Sequence, residues 1–329
     1  GCIFRNRSKL VIPSGFTVRI RSNKDKCDAN FLFYSLRSYE TRKWIINYSQ
    51  TSALTNLNAG IINSIPISLP SLPEQKKIAS ILSSADEVIE KTQSQINKLQ
   101  NLKKSIVNEL LTKGIAHTEF KVSELGKIPK SWEVNNFNDC IEKIVDCEHR
   151  TAPKVESSDF HVVSTNAVKD GKLLEQELYN TSEEAYRDWT ARETPVVDDV
   201  LFTREAPAGE SCCVPEHKKV CLGQRMVLLR PISNILIGVF LNFFINSDVG
   251  KKGIYRLSLG TTVSRINMAD IKKLKIIVPS IFEQKKIVNI ICTIEDKISI
   301  IKKKLNKYIF IKKSLMQDLL TGKVRVSIN

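Results

Sequence analysis

The sequence predicts a mixed α/β protein in which globular domains are joined by two long helices that pair as a coiled coil. Three observations predict it. A repeat recurs at an offset of 209 residues, each copy carries a 3–4 apolar spacing over about forty residues, and short β-type runs lie between the copies. A duplicated unit whose helices pair on each other acquires approximate two-fold symmetry.

The repeat is read directly from the residues. Glu74-Gln75-Lys76-Lys77-Ile78 recurs as Glu283-Gln284-Lys285-Lys286-Ile287, and Leu110-Leu111-Thr112 recurs as Leu319-Leu320-Thr321. Without a gap, 15 of the 39 positions from 74 to 112 are identical at that offset, far more than random pairing gives. Upstream the match thins to Phe31-Leu32 on Phe240-Leu241 and Pro70-Ser71 on Pro279-Ser280. Gly1 aligns with Glu210, so a complete duplication would leave roughly 75–85 residues of the first copy absent at its front.

The predicted organisation has four segments: 1–70, 71–115, 116–278 and 279–329. In the first, only the later part of a globular domain matches the second copy. The second and fourth segments are the long helices. Ser71-x-x-Glu74 and Ser280-x-x-Glu283 predict capping boxes, in which Ser accepts from a first-turn amide and Glu reaches back. Pro73 fits the first turn, where an amide has no intrahelical partner. The expected helix-pairing seam is Ile78, Leu82, Ala85, Ile89, Ile96 and Leu99, with Ile287, Ile291, Ile294, Ile298, Ile301 and Leu305 in the second copy. At the next slot both copies carry Lys (Lys103, Lys312), so the apolar role is expected to pass to Leu102 and Ile311. Gly114 and Gly322 suit the left-handed cap that ends each helix. Forty residues would span about 60 Å. The residues alone leave the orientation of the helix pair open.

Segment 116–278 holds the β-type runs Phe160–Val163, Val196–Phe202 and Met226–Leu229, separated by Gly, Pro, Asn and Asp. An apolar helix is expected over Leu236–Asn246, followed by the basic stretch Gly250-Lys251-Lys252-Gly253.

Lys and Arg total 50 against 35 Asp and Glu, a formal net charge of +15 that favours an anionic partner, nucleic acid first. The surplus is uneven: residues 1–73 carry +7 and residues 283–323 carry +6, whereas residues 116–278 carry −1. A nucleic-acid face on the intact domain therefore has to come from segregated charge. Candidates are Arg204 and Arg225 beside strand ends, Lys218-Lys219 in an expected hairpin loop, Lys251 and Lys252, and the loop carrying Thr261, Thr262 and Arg265. The longest apolar run, Ile235–Ile245, is about half of what a bilayer span needs, so no membrane segment is expected. Eight scattered cysteines fit reduced thiols and a cytoplasmic location.

The junction Pro70-Ser71-Leu72-Pro73-Glu74-Gln75-Lys76-Lys77-Ile78 and its second copy resemble those of specificity subunits of type I restriction–modification enzymes. So do the helix ends at Leu110–Gly114 and Leu319–Lys323, and the segment Lys127–Val134. The resemblance covers essentially the whole chain, with Phe282 replacing the second proline and the first domain short at its front. It implies two target-recognition domains reading a bipartite double-stranded DNA site, spaced by an antiparallel coiled coil that docks methyltransferase subunits and, through them, a restriction subunit. It implies no cofactor and no chemistry on this chain, and the near two-fold repeat allows self-dimerisation.

Two other classes remain to be weighed. A coiled-coil adaptor without DNA binding would use the same seam. A zinc or thiol enzyme would need Cys212-Cys213-x-x-x-His217-x-x-x-Cys221 to converge, but adjacent cysteines rarely both hold one ion, so no metal is expected. His149 and His161 lack partners at a convincing spacing. No phosphate-cradling G-x-x-x-x-G-K-[ST] and no strand-linked G-x-G-x-x-G occurs.

Overall fold

A computed structural model describes residues 18–49, 59–258 and 264–328. The chain forms two compact units, Gly1–Leu99 with Lys297–Asn329, and Gln100–Asp296. Both long helices are present, Leu72–Lys113 and Ile281–Leu320, and each contributes one part to each unit.

In the first unit a short helix, Ala29–Arg37, is capped by Asp28, whose carboxylate accepts from the amides of Asn30 and Phe31. Its Phe31 and Tyr34 share a core with Ile78, Ala79 and Leu82 of the first long helix and Leu319 of the second. Glu74 takes a two-pronged bond from Arg325 at 2.6 and 2.7 Å, and Asp86 pairs with Lys312. Rising numbers on one helix meet falling numbers on the other, so this portion is antiparallel.

The second unit shows the same direction. Lys103 pairs with Glu295, while Leu111 lies in the core that holds Ile287 and Ile291. Around that core runs an antiparallel four-stranded sheet in the order Ser211–Cys213, Val200–Thr203, Met226–Pro231, Ile141–Asp146. Its central strands are buried on both faces, which explains the unbroken apolar runs Val200-Leu201-Phe202 and Met226-Val227-Leu228-Leu229. A second sheet places Phe160–Val163 between Lys219–Leu222, which is parallel to it, and Tyr179–Asn180.

Ile78, Leu82, Ile96, Ile287, Ile291, Ile298 and Leu305 are buried, and Ala85, Ile89, Leu99, Ile294 and Ile301 are partly buried. The expected detour through Leu102 and Ile311 does not occur; these are 52% and 41% exposed. Lys103 and Lys312 keep the inward slot instead. Their aliphatic stems cover the seam while each ammonium reaches a carboxylate on the facing helix, Glu295 or Asp86. The two pairs are one contact used twice, since 103 and 312, like 86 and 295, differ by the repeat offset.

Of the two expected capping boxes, only the second forms among the described residues, and that by half. Ser280 Oγ accepts from the Glu283 amide at 3.3 Å, but neither glutamate reaches back. Glu74 is held by Arg325, and Glu283 accepts from the Ile115 amide and Trp132 Nε1, with His117 Nε2 2.8 Å away. Stronger partners at the helix junction take the carboxylates.

The neighbouring glutamines do what composition could not reveal. Gln284, fully buried, accepts from the Ile237 amide at 2.9 Å and donates to the carbonyls of Ile235 and Pro279. Gln75, also fully buried, accepts from the Asp28 amide at 2.8 Å and donates to the carbonyls of Lys26 and Pro70. Every partner differs by 209 residues, so each copy of the repeat latches its helix start to its own globular part in the same way.

Two local expectations are corrected. Lys218-Lys219 do not sit in a hairpin, because Ser211–Cys213 and Lys219–Leu222 belong to different sheets. Residues 196–199 form a turn closed by the Asp199 side chain on the Val196 amide, and the strand starts at Val200. The Gly250–Gly253 stretch is inside a helix, Asp248–Leu257, where a Cβ on Gly250 would lie 2.1 Å from the Phe244 carbonyl oxygen.

Candidate nucleic-acid interface

At one end of the four-stranded sheet, four segments converge: the exit of strand Ile141–Asp146, the turn after Val200–Thr203, the turn before Met226–Pro231, and residues 264–266. Backbone bonds stitch them together. The Arg204 amide donates to the Arg225 carbonyl, the Ile266 amide to the Arg204 carbonyl, and the Ala208 amide to Ser264 Oγ. Gln224 Nε2 donates to the His149 carbonyl at 3.1 Å, and the Arg225 amide to Cys147 Sγ at 3.2 Å.

This cluster gathers Arg150, Arg192, Arg204, Arg225 and Arg265, five of the eight arginines in residues 116–278. The domain, with a net charge of −1, gathers these guanidinium groups at one end together with the carboxylates of Asp146, Glu148, Asp188 and Glu205, which pair with Arg204, Arg192, Arg150 and Arg225. Arg204 is 12% exposed at its side chain and pairs with Asp146; Arg192 lies 3.1 Å from Glu148, and Arg150 stacks on Trp189. Arg265 faces Glu205 across an isolated bridge, and Glu205 is 3.8 Å from Arg225 Nε. Three residues other than glycine have left-handed backbones here: His149 (φ 35°), Ala206 (φ 59°) and Arg225 (φ 68°). Such strain gathers where a fold holds ligand-contacting groups.

The structure therefore brings Arg204, Arg225 and Arg265 together. Lys251 lies on the other side of the same turn, donating to the Gly209 carbonyl and pairing with Glu210, and Lys252 is exposed on that helix. Thr261 and Thr262 lie outside the described residues. Sequence reasoning missed Asp146, Cys147, Glu205 and Gln224, whose roles depend on contacts between distant segments. Towards the other end of the same sheet, Arg230 binds Asp199, Glu193 and the Thr194 carbonyl, and these partners hold its guanidinium firmly charged.

No zinc-type convergence forms at residues 212–221. Cys212 and Cys221 lie in different sheets, and the His217 side chain is 93% exposed. Burial pushes the Cys213 and Cys221 thiols up to about 12, and Cys212 higher still, the reverse of an activated thiolate. Among the described residues, one group has ligand-type atoms within 4.8 Å of one another: Asp146, Cys147 and His149. His149 turns Nδ1 towards Cys147 and Nε2 towards Asp146, so one ring nitrogen does not serve both, and Arg204 already pairs with Asp146.

Comparison with known proteins gives these features a family. Residues 3–101 and 129–308 match the type I restriction modification DNA specificity domain. The chain belongs to that family. A relative from Methanocaldococcus jannaschii, described as the putative type I restriction enzyme MjaX specificity subunit, is 30% identical, covering 98% of this chain and 75% of the relative. The type I restriction enzyme EcoBI specificity subunit of Escherichia coli is 24% identical over 82% of this chain and 59% of its own. Among solved structures, the type I restriction-modification S subunit from M. genitalium aligns with a TM-score of 0.54 at 15% identity, over 91% of this chain and 74% of that one. A chain from a structure on complex assembly and conformational transition of the type I R-M system aligns at 0.58 and 15% identity, over 92% and 73%. These two likenesses concern the fold. As a type I specificity subunit, the chain is a non-catalytic DNA-recognition component, and the adaptor reading is not favoured. No described helix is long and apolar enough to cross a membrane.

Proposed function

We propose that the loop cluster at the end of the four-stranded sheet is the surface with which residues 116–278 read one half of a bipartite double-stranded DNA site. The convergence of Arg150, Arg204, Arg225 and Arg265 on strained, cross-braced loops, with Arg192 reaching in to Glu148, carries this reading. Phosphate contacts would position the domain, and base-edge contacts in the groove would specify the sequence. Arg204, tied to Asp146, braces the loops, whereas Arg225 and Arg265, together with Thr261 and Thr262, reach DNA, with Lys251 and Lys252 beside them. The antiparallel helices space this domain from the one that includes residues 1–70, and dock methyltransferase subunits. A restriction subunit joins through those subunits, and a second copy of the chain is an alternative source of the other half-site reader. The test is binding of the assembled complex to duplex DNA over a salt series. A steep fall in affinity with salt, plus a residual sequence preference, supports the reading. Salt-independent or sequence-blind behaviour contradicts it.

A further inference from the structure

We propose that Arg225 reads a base directly and that the base is a guanine; this rests on the DNA-reading function put forward above. Its backbone sits at φ 68°, a conformation that glycine adopts freely and an arginine adopts at a cost. That strained residue is pinned on both sides. Its amide donates to Cys147 Sγ at 3.2 Å, and its carbonyl accepts from the Arg204 amide at 2.9 Å. Gln224, one residue earlier, is tied to the His149 carbonyl, and Arg204 is itself anchored by Asp146. Two distant segments, residues 146–149 and the turn at Arg204, thus fix the backbone of one residue.

The side chain, by contrast, is 53% exposed, and Glu205 lies beyond hydrogen-bond length from Nε at 3.8 Å. The fold accepts strain at this point and presents a long cation where glycine would fit better. A phosphate contact needs no such fixing, since a mobile surface cation serves it. Reading a base edge does need it, because the planar fork has to meet two acceptors in a set direction. Guanine offers O6 and N7 side by side in the major groove, the pair that an arginine fork matches.

The experiment uses the full chain assembled with its methyltransferase subunits and a DNA library randomised across the recognised half-site. Arg225→Gly removes the fork while relieving the left-handed backbone, so its melting temperature should equal or exceed that of the wild type. The preference for G·C at one position should fall by about 5- to 150-fold, the discrimination carried by one bidentate contact. The rest of the motif should stand. Arg225→Lys keeps the charge without the fork and should relax the same position. Cys147→Ala should relax it more weakly, and Cys147→Ser, which retains an acceptor for the Arg225 amide, should restore it. A uniform loss over all sequences, with the salt slope reduced by about one, would make Arg225 a phosphate contact and overturn the proposal. An unchanged motif in Arg225→Gly would also overturn it, leaving the DNA-reading function intact. A wild-type complex with no sequence preference would remove both together.

Discussion

Replacing Gln284 with Met tests whether the repeated glutamine is the latch that joins each long helix to its globular part. Met fills a similar volume, so the change isolates hydrogen bonding from cavity formation. Gln284 is fully buried and serves three backbone groups, the Ile237 amide and the carbonyls of Ile235 and Pro279, at 2.8–2.9 Å. Each buried group left without a partner costs about 1–3 kcal/mol, so three cost at least about 3 kcal/mol. A domain of this kind has about 5–15 kcal/mol in total, so the loss is a large share of it. Urea unfolding followed by tryptophan fluorescence should show a lower midpoint for Gln284→Met with the slope preserved. Gln284→Glu should be no better, because it sets a carboxylate against two carbonyls. Gln75→Met should cost a similar amount, its three bonds spanning 2.8–3.0 Å. A loss below about 1 kcal/mol in Gln284→Met would refute the reasoning, since one orphaned group alone should exceed it.

Other expectations follow from single sites. Gly114→Ala should destabilise strongly by urea unfolding, because φ is 67° and the new Cβ would lie 2.6 Å from Glu283, His117 and Trp132. Gly322→Ala, with φ 74° and no neighbour within 4 Å, should cost only about 1 kcal/mol. Lys312→Met should lower stability in urea unfolding by about 1–3 kcal/mol, because the partly buried Asp86 carboxylate keeps its 2.8 Å bond from the Tyr34 hydroxyl but loses its cation. Ile291→Asp, at a fully buried seam position, should abolish helix pairing and complex assembly on size-exclusion chromatography, whereas a change at exposed Lys303 should not. The half-buried Cys213 and buried Cys221 thiols are held near 12, against 9.0 for an ordinary thiol. The unfolded chain releases these protons first, so stability should be full below pH 9 and fall as pH climbs towards 12. Unfolding midpoints measured at pH 8 and pH 10 check this, and a higher midpoint at pH 10 would count against burial of the thiols.

The long helices were legible because their signal is periodic and local. Seven seam positions proposed from spacing are buried side chains. The lysines at 103 and 312 were misjudged because their acidic partners, Glu295 and Asp86, lie 192 and 226 residues away. Hydrophobic periodicity treats a lysine as an interruption, whereas an antiparallel neighbour with a facing carboxylate makes it part of the seam. The capping boxes failed for the same reason, since Arg325 and Trp132 compete for the glutamates from distant parts of the chain. In the recognition domain, the central strands announced themselves as unbroken apolar runs. The sheet to which Lys219–Leu222 belongs did not, because a parallel partnership with Phe160–Val163 leaves no turn signal between the two. Arg204 and Arg225 were visible as cations beside strand ends. That one is tied to Asp146 while the other is half-exposed on a strained backbone depends on four segments meeting in space.

The most direct test of the account is to sequence the methylated bases of cells that express this chain with the methyltransferase of its own system, against cells expressing that methyltransferase alone. The account predicts a new bipartite motif, with modified adenines on either side of a fixed non-specific spacer. An asymmetric motif would mean that the domain including residues 1–70 reads its own half-site, and a palindromic one that two copies of residues 116–278 read both. No new motif would contradict the central claim that this chain gives the enzyme its DNA specificity.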